Sequence, residues 1–259
     1  MVSSGIGVVD ALTGGLPRGC LTEICGPPSS GRTTVLLAAL AAATQRGECC
    51  AVVDAGDALD PQSVVNAGIE LDRLLWVRCG QNSLRGNSMS RKTTLDAEKK
   101  NFLKLDLQDI ERCLDQLLRA TDLLLESGGF GLIALDLGDL PPQIARRIPL
   151  TTWFRFRRAV EHSSTVLLAM ERQSIAGSCS SLLLRLGSAN AAGMTRRFIS
   201  ESSESVLACL DPAAKSPQPT HTQLLTEMEI TMEIVRSRIE RKPVRSAEIT
   251  FASKTAWAG

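Results

Sequence analysis

The sequence predicts an α/β fold, a mostly parallel sheet flanked by helices and closed by a C-terminal antiparallel hairpin. Three observations predict it. Short apolar runs of strand length, among them Cys49 to Asp54, Phe130 to Asp136 and Thr165 to Met170, alternate with helix-like stretches. That is the pattern of buried parallel strands joined by crossovers. A Gly/Pro/Ser loop, Gly26 to Thr33, separates one such strand from a long apolar helix. Near the C-terminus, Ile230, Met232 and Ile234 recur at alternate positions, and a second run, Ala247 to Ser253, follows Lys242-Pro243. This spacing reads as a hairpin.

Taken in order, residues 5–19 form a glycine-punctuated lead-in with turns at Gly14-Gly15 and Pro17 to Gly19. Cys20 to Cys25 is a strand feeding the loop. Thr33 to Arg46 is nearly all Ala, Leu, Val and Thr, a helix buried on most sides and stopped by Gly47. Cys49 to Asp54 is a strand ending in a carboxylate, followed by a loop to Pro61, a short helix from Gln62 to Ala67 and the strand Leu74 to Arg78. An exposed loop or insertion is expected at about 80–104. Leucines from Leu107 to Leu125 then recur at helical spacing, ended by Gly128-Gly129. After the strand Phe130 to Asp136 and a Pro141-Pro142 break comes a basic helical stretch, Gln143 to Ser164. Thr165 to Met170 and Ser181 to Leu186 are buried strands, Ser205 to Leu210 a further candidate, and about 211–222 a Pro-rich loop. The whole of 1–259 is expected to form one core domain.

Composition narrows the function. A net charge of +1 excludes a polycation, so nucleic-acid contact would have to come from local basic patches. With no Tyr, six Phe and three Trp, stacking platforms are scarce. The eight cysteines include no C-x-x-C pair, which favours buried thiols in a reducing compartment over disulfides or zinc. The N-terminus lacks a signal-peptide pattern, and the apolar run from Val35 to Ala43 is roughly half the length that spans a bilayer. A cytoplasmic protein is the expectation, with no membrane partner.

The loop carries the chemistry. Gly26-Pro27-Pro28-Ser29-Ser30-Gly31-Arg32-Thr33 is one residue away from the phosphate-binding pattern G-x-x-x-x-G-K-[ST]. Its N–H groups and the following helix N-terminus suit a polyphosphate, and Thr33 would place a hydroxyl on magnesium. Arg32 stands where lysine is usual, and a planar fork does not replace a compact ammonium at a snug site. Asp136 reads either as the magnesium-side carboxylate or as a capping aspartate at a strand-to-loop turn. ATP and Mg²⁺ are the implied cofactors, with hydrolysis weak at most. Arg146, Arg147, Arg155, Arg157 and Arg158 lie around Trp153, Phe154 and Phe156. They are candidate DNA contacts, or else the solvated face of a helix whose aromatics pack on the sheet. Arg236, Arg238, Arg241, Lys242 and Arg245 form a second basic set, compatible with a charge-protected edge strand.

Together these motifs resemble the RecA recombinase core. The lead-in with G-G-L-P-R-G, the loop GPPSSGRTT and the segment VVDAGDALDP are similar to RecA's stretches in order and spacing, most specifically from Gly5 to about Leu75. The resemblance implies that Gly26, Ser29, Ser30, Gly31, Arg32, Thr33 and Thr34 line the nucleotide phosphates. It puts Asp60 on an adenine-side contact and Asp136 on magnesium. It also marks departures. Gly56 stands where RecA has its catalytic glutamate, with Asp57 next door a weak substitute. Ser63 replaces a tyrosine against the adenine. Glu171-Arg172 replaces an Asn-Gln pair that senses the terminal phosphate. The DNA loop is reduced to about SIAGSCSS, and no helical segment precedes Gly5 for filament docking. Those departures resemble the ImuA group, RecA-like accessory proteins of bacterial translesion synthesis, through PRGCLTEICG and RFRRAVEHSSTVLLA. The partners that group implies are a Y-family-like polymerase subunit and a replicative-type polymerase. Single-stranded DNA is implied if the chain is an active recombinase instead.

Overall fold

The computed structural model describes residues 1–79, 98–188, 227–239 and 248–254. Within them, eight strands form one sheet: β1 (Cys20–Cys25), β2 (Cys49–Asp54), β3 (Leu74–Arg78), β4 (Phe130–Asp136), β5 (Val166–Glu171), β6 (Leu182–Ser188), β7 (Glu227–Ser237) and β8 (Glu248–Lys254). The order is β3-β2-β4-β5-β1-β6-β7-β8. Pairings are parallel from β3 through to β6, and β7 and β8 add antiparallel at one end. This is the α/β fold that the alternation of apolar runs predicted, and the RecA-like one that the resemblance implied. Strands β2, β3 and β4 begin and end where the apolar runs do.

The helices are α1 (Gly7–Thr13), α2 (Arg32–Gln45), α3 (Pro61–Asn66), α4 (Glu98–Ser127), α5 (Pro142–Ala145) and α6 (Leu150–Val160). The sheet buries both faces, and the two-residue period of a strand sorts its side chains between them. On β4, Leu132 and Ala134 join Leu36, Leu40 and Leu168 on one face. Ile133 and Leu135 join Leu117, Trp153 and Phe156 on the other. Each large side chain buried this way contributes about 1.5–3 kcal/mol, so both layers hold the strand ends in place.

Three expectations are corrected. The exposed segment expected at about 80–104 gives way to helix at Glu98. The residues from Glu98 to Ser127 include no Gly or Pro, so nothing in the chain stops α4 before that point. The basic stretch Gln143 to Ser164 is two helices, because Pro149 lacks an N–H and sits at the N-cap of α6. The lead-in holds a helix, α1, closed by Gly14 at φ 75, where a left-handed turn costs glycine least. The Ser205 to Leu210 strand, the Pro-rich loop at about 211–222, and Arg241, Lys242 and Arg245 lie outside the described residues. No helix among the described residues is long and apolar enough to cross a membrane.

Candidate nucleotide site

The parallel strands line up their carboxyl ends. Asp54 is in register with Arg78 on one side and Asp136 on the other, Asp136 with Met170, and Cys25 with Glu171 and Arg185. In open α/β sheets this edge is where ligands bind. The Gly26–Thr33 loop leaves β1 at the same edge. A Cβ on Gly26 would lie 2.6 Å from the Leu186 carbonyl and 2.6 Å from Ser30 Oγ, so only glycine fits. Ser29 has φ 59 and Gly31 φ 90, which curl the backbone into the N-terminus of α2. Ile230 of β7 backs the turn, its Cγ1 2.7 Å from where a Gly31 Cβ would sit.

Two polar atoms in this loop are buried without a hydrogen-bond partner among the described residues, Ser30 Oγ and Arg32 Nη1. Orphaned buried donors in a natural fold ask for an explanation. An anion held at the helix start would satisfy both, so the loop fits a polyphosphate. Thr33 is exposed on the first turn of α2 and Thr34 is half-buried.

The Arg32 guanidinium rests on the turn after β4, where a Cβ on Gly138 would come within 2.7 Å of Nη1 and 3.0 Å of Asp136 Oδ1. Burial holds the Arg32 pKa below its ordinary value, while Asp136 and Asp139 oppose that shift. Asp136 Oδ1 accepts the Gly138 N–H at 2.9 Å. Burial pushes the Asp136 pKa up to about 6, Asp54 and Asp139 add to the rise, and the Gly138 N–H and Arg32 counter it. A carboxyl in that setting releases its proton readily once a cation binds beside it. From the other side, Arg172 Nε donates to the Gly138 carbonyl at 2.8 Å. Two guanidiniums therefore flank one turn.

Other named residues are committed locally. Asp54 accepts from the N–H of Gly56 at 3.0 Å, from that of Leu59 at 3.1 Å and from Trp76 Nε1 at 3.2 Å. It builds the loop after β2. Asp57 is paired with Arg78, accepting from its Nε and Nη2. Asp60 caps α3, accepting from Ser63 N at 2.8 Å and Ser63 Oγ at 2.7 Å. Glu23, buried in β1, accepts from the N–H groups of Ile175 and Ala176 at 2.6 and 3.0 Å and from Ser180 Oγ at 3.1 Å. It thereby pins the short segment between β5 and β6. Arg236 and Arg238 hold that segment too, donating to Ser180 Oγ at 3.1 Å and to the Ser178 carbonyl at 2.9 Å. Glu171 is buried at the end of β5, and desolvation followed by Glu23 pushes its pKa up to about 11. It is a neutral acid at physiological pH.

Three of the basic candidates have side-chain partners within the fold. Arg146 bonds Gln173, Arg147 meets Glu111 at 2.5 Å, and Arg155 grips both oxygens of Asp122 at 2.9 and 2.8 Å. Trp153 and Phe156 are fully buried against the sheet, while Phe154 is 48% exposed. Arg157 is half-buried and Arg158 exposed. The sequence puts the stretch from Asp136 to Asp139 at the ligand-binding edge, and the resemblance puts Glu171-Arg172 where a phosphate-sensing pair stands. It does not show that Arg32 and Arg172 flank one turn.

Comparison with known proteins bears on this first third. Residues 1–85 match the RecA N-terminal domain family. Over those residues, about the first third of its length, the chain is similar to that domain. It is 51% identical over 75 residues to Protein RecA of Nostoc punctiforme, covering 29% of this chain and 21% of that protein. It is 55% identical over 62 residues to Protein RecA of Acidiphilium cryptum, covering 24% and 18%. Against Protein RecA of Ectopseudomonas oleovorans it is 48% identical over 77 residues, covering 29% and 22%. The chain thus spans about a fifth of the length of these relatives, and the RecA match takes in β1, the Gly26–Thr33 loop and β2 but not the turn after β4.

Proposed function

We propose that this chain is a RecA-family DNA-repair protein that binds ATP with magnesium and turns it over weakly or not at all, acting beside a translesion polymerase rather than exchanging strands. The observation that carries the reading is Arg32, a half-buried cation at the start of α2 with an unpartnered buried Nη1. Gly26, Ser29, Ser30, Gly31 and Thr34 would hold the phosphates with it, and Thr33 and Asp136 the magnesium. Magnesium supplies charge neutralisation between the outer phosphates when bound.

Slow turnover is supported by Gly56, which offers no side chain at the loop after β2, and by an arginine fork in the lysine position. An accessory role is supported by the short segment between β5 and β6 and by the ion pairs that engage Arg147 and Arg155. A substantial ATPase rate stimulated by single-stranded DNA and abolished in Asp136→Ala would count against this reading.

The relatives favour a second reading, an active ATP- and DNA-dependent recombinase, since those compared all bear the name Protein RecA. That reading predicts nucleotide-dependent filaments on single-stranded DNA. Electron micrographs free of filaments at high protein and ATP concentrations would exclude it.

A further inference from the structure

Breaking a terminal phosphate bond on this architecture needs a group that orients the attacking water and takes its proton. Most carboxyl groups at this edge are committed. Asp54 holds three donors, Asp57 pairs with Arg78, Asp60 caps α3, Asp136 takes the Gly138 N–H, and Glu171 is enclosed beside Glu23. Asp139 differs. It is exposed and accepts no hydrogen bond from the described residues. The turn that carries it also carries Gly138, against which Arg32 rests. On its other side Asp139 fills the space beside Gly56. A Cβ at position 56 would lie 2.7 Å from Asp139 Cβ and 2.9 Å from its Cγ. A bare glycine on one loop and a carboxylate from the next loop thus occupy a single place.

We infer that Asp139 is the water-orienting base of this site, reaching from the turn after β4 into the space that Gly56 leaves open. The inference rests on the proposed nucleotide reading. In the step, the water oxygen bonds to the terminal phosphorus while the bond from phosphorus to the bridging oxygen breaks. The water's proton passes to Asp139 and then to solvent. Triphosphate and water become diphosphate and orthophosphate.

Three measurements on the 259-residue chain test it. These are thermal stabilisation by a non-hydrolysable ATP analogue with magnesium, phosphate release from ATP, and melting of position-56 variants without nucleotide. Asp139→Asn should slow phosphate release by at least about tenfold and leave stabilisation by the analogue unchanged. Gly56→Ala should melt lower than wild type, and adding Asp139→Gly should restore the loss. Unchanged phosphate release in Asp139→Asn overturns the inference, as does a wild type that binds the analogue but releases no phosphate. Both results leave the nucleotide reading standing. Additive melting effects at positions 56 and 139 overturn the juxtaposition. Absence of any stabilisation by the analogue overturns the nucleotide reading, and the inference with it.

Discussion

Arg32 holds the centre of the candidate site at the residue scale. Its fork spreads over the Gly138 turn and faces Asp136, a pose that a lysine's narrow stem would not need. Arg32→Lys should therefore free Asp136 and tighten ATP–magnesium binding by up to about tenfold, ~1.4 kcal/mol, with turnover still slow. Arg32→Ala should weaken binding by about tenfold or more, since it removes a charged donor. Titration against a fluorescent nucleotide reads both, and equal affinities in all three proteins would contradict this account. Glu171 gives a separate test. Its folded pKa is raised to about 11, chiefly by burial, from an ordinary 4.5. The native state therefore binds a proton more tightly than the unfolded chain. That contribution is whole below the ordinary value and is lost as pH climbs toward the folded one, by at most about 1.4 kcal/mol per pH unit. The neutral isostere Glu171→Gln removes the titration. Its melting advantage over wild type should widen between about pH 6 and pH 9, and parallel melting curves would sink the prediction.

At the scale of elements, α6 shows how one stretch of sequence carries two messages. Its period brings Trp153, Phe156 and Val160 to one buried face, with the two rings edge-to-face at 6.0 Å between centroids. The arginines fall on the other positions, and Arg155 turns to Asp122 on α4. Trp153→Ala should cost about 3–5 kcal/mol in a denaturant melt. Arg155→Ala should cost no more than about 1 kcal/mol, as its pair is solvent-exposed. If Arg155 served DNA rather than α4, its alanine variant would lose affinity for single-stranded DNA by anisotropy. The geometry predicts little change.

For the whole molecule, the decisive quantity is linkage between folding and nucleotide. A ligand bound only by the native state stabilises it by about 2.7 kcal/mol at a hundred times its Kd. ATP with magnesium should raise the melting temperature measurably, and Asp136→Ala should reduce the part that depends on magnesium. Identical melts with and without nucleotide would leave the edge of the sheet without a ligand. Such binding would not choose between an accessory and a recombinase. Filament formation on DNA makes that choice.

The alternation of apolar runs and turns by itself determined the sheet, its parallel strands and the closing hairpin, because burial on two faces writes a local pattern into each segment. The loop motif likewise located the candidate phosphate loop, since glycine spacing and a following helix are local features. Only the tertiary structure decided which carboxylates face the cradle. Asp54 and Asp60 look functional along the chain, yet one organises its own loop and the other caps a helix. The sequence brought Asp139 to the ligand-binding edge, but its place beside Gly56 was silent there. Proximity between loops that follow different strands depends on strand order and register, which no local periodicity records.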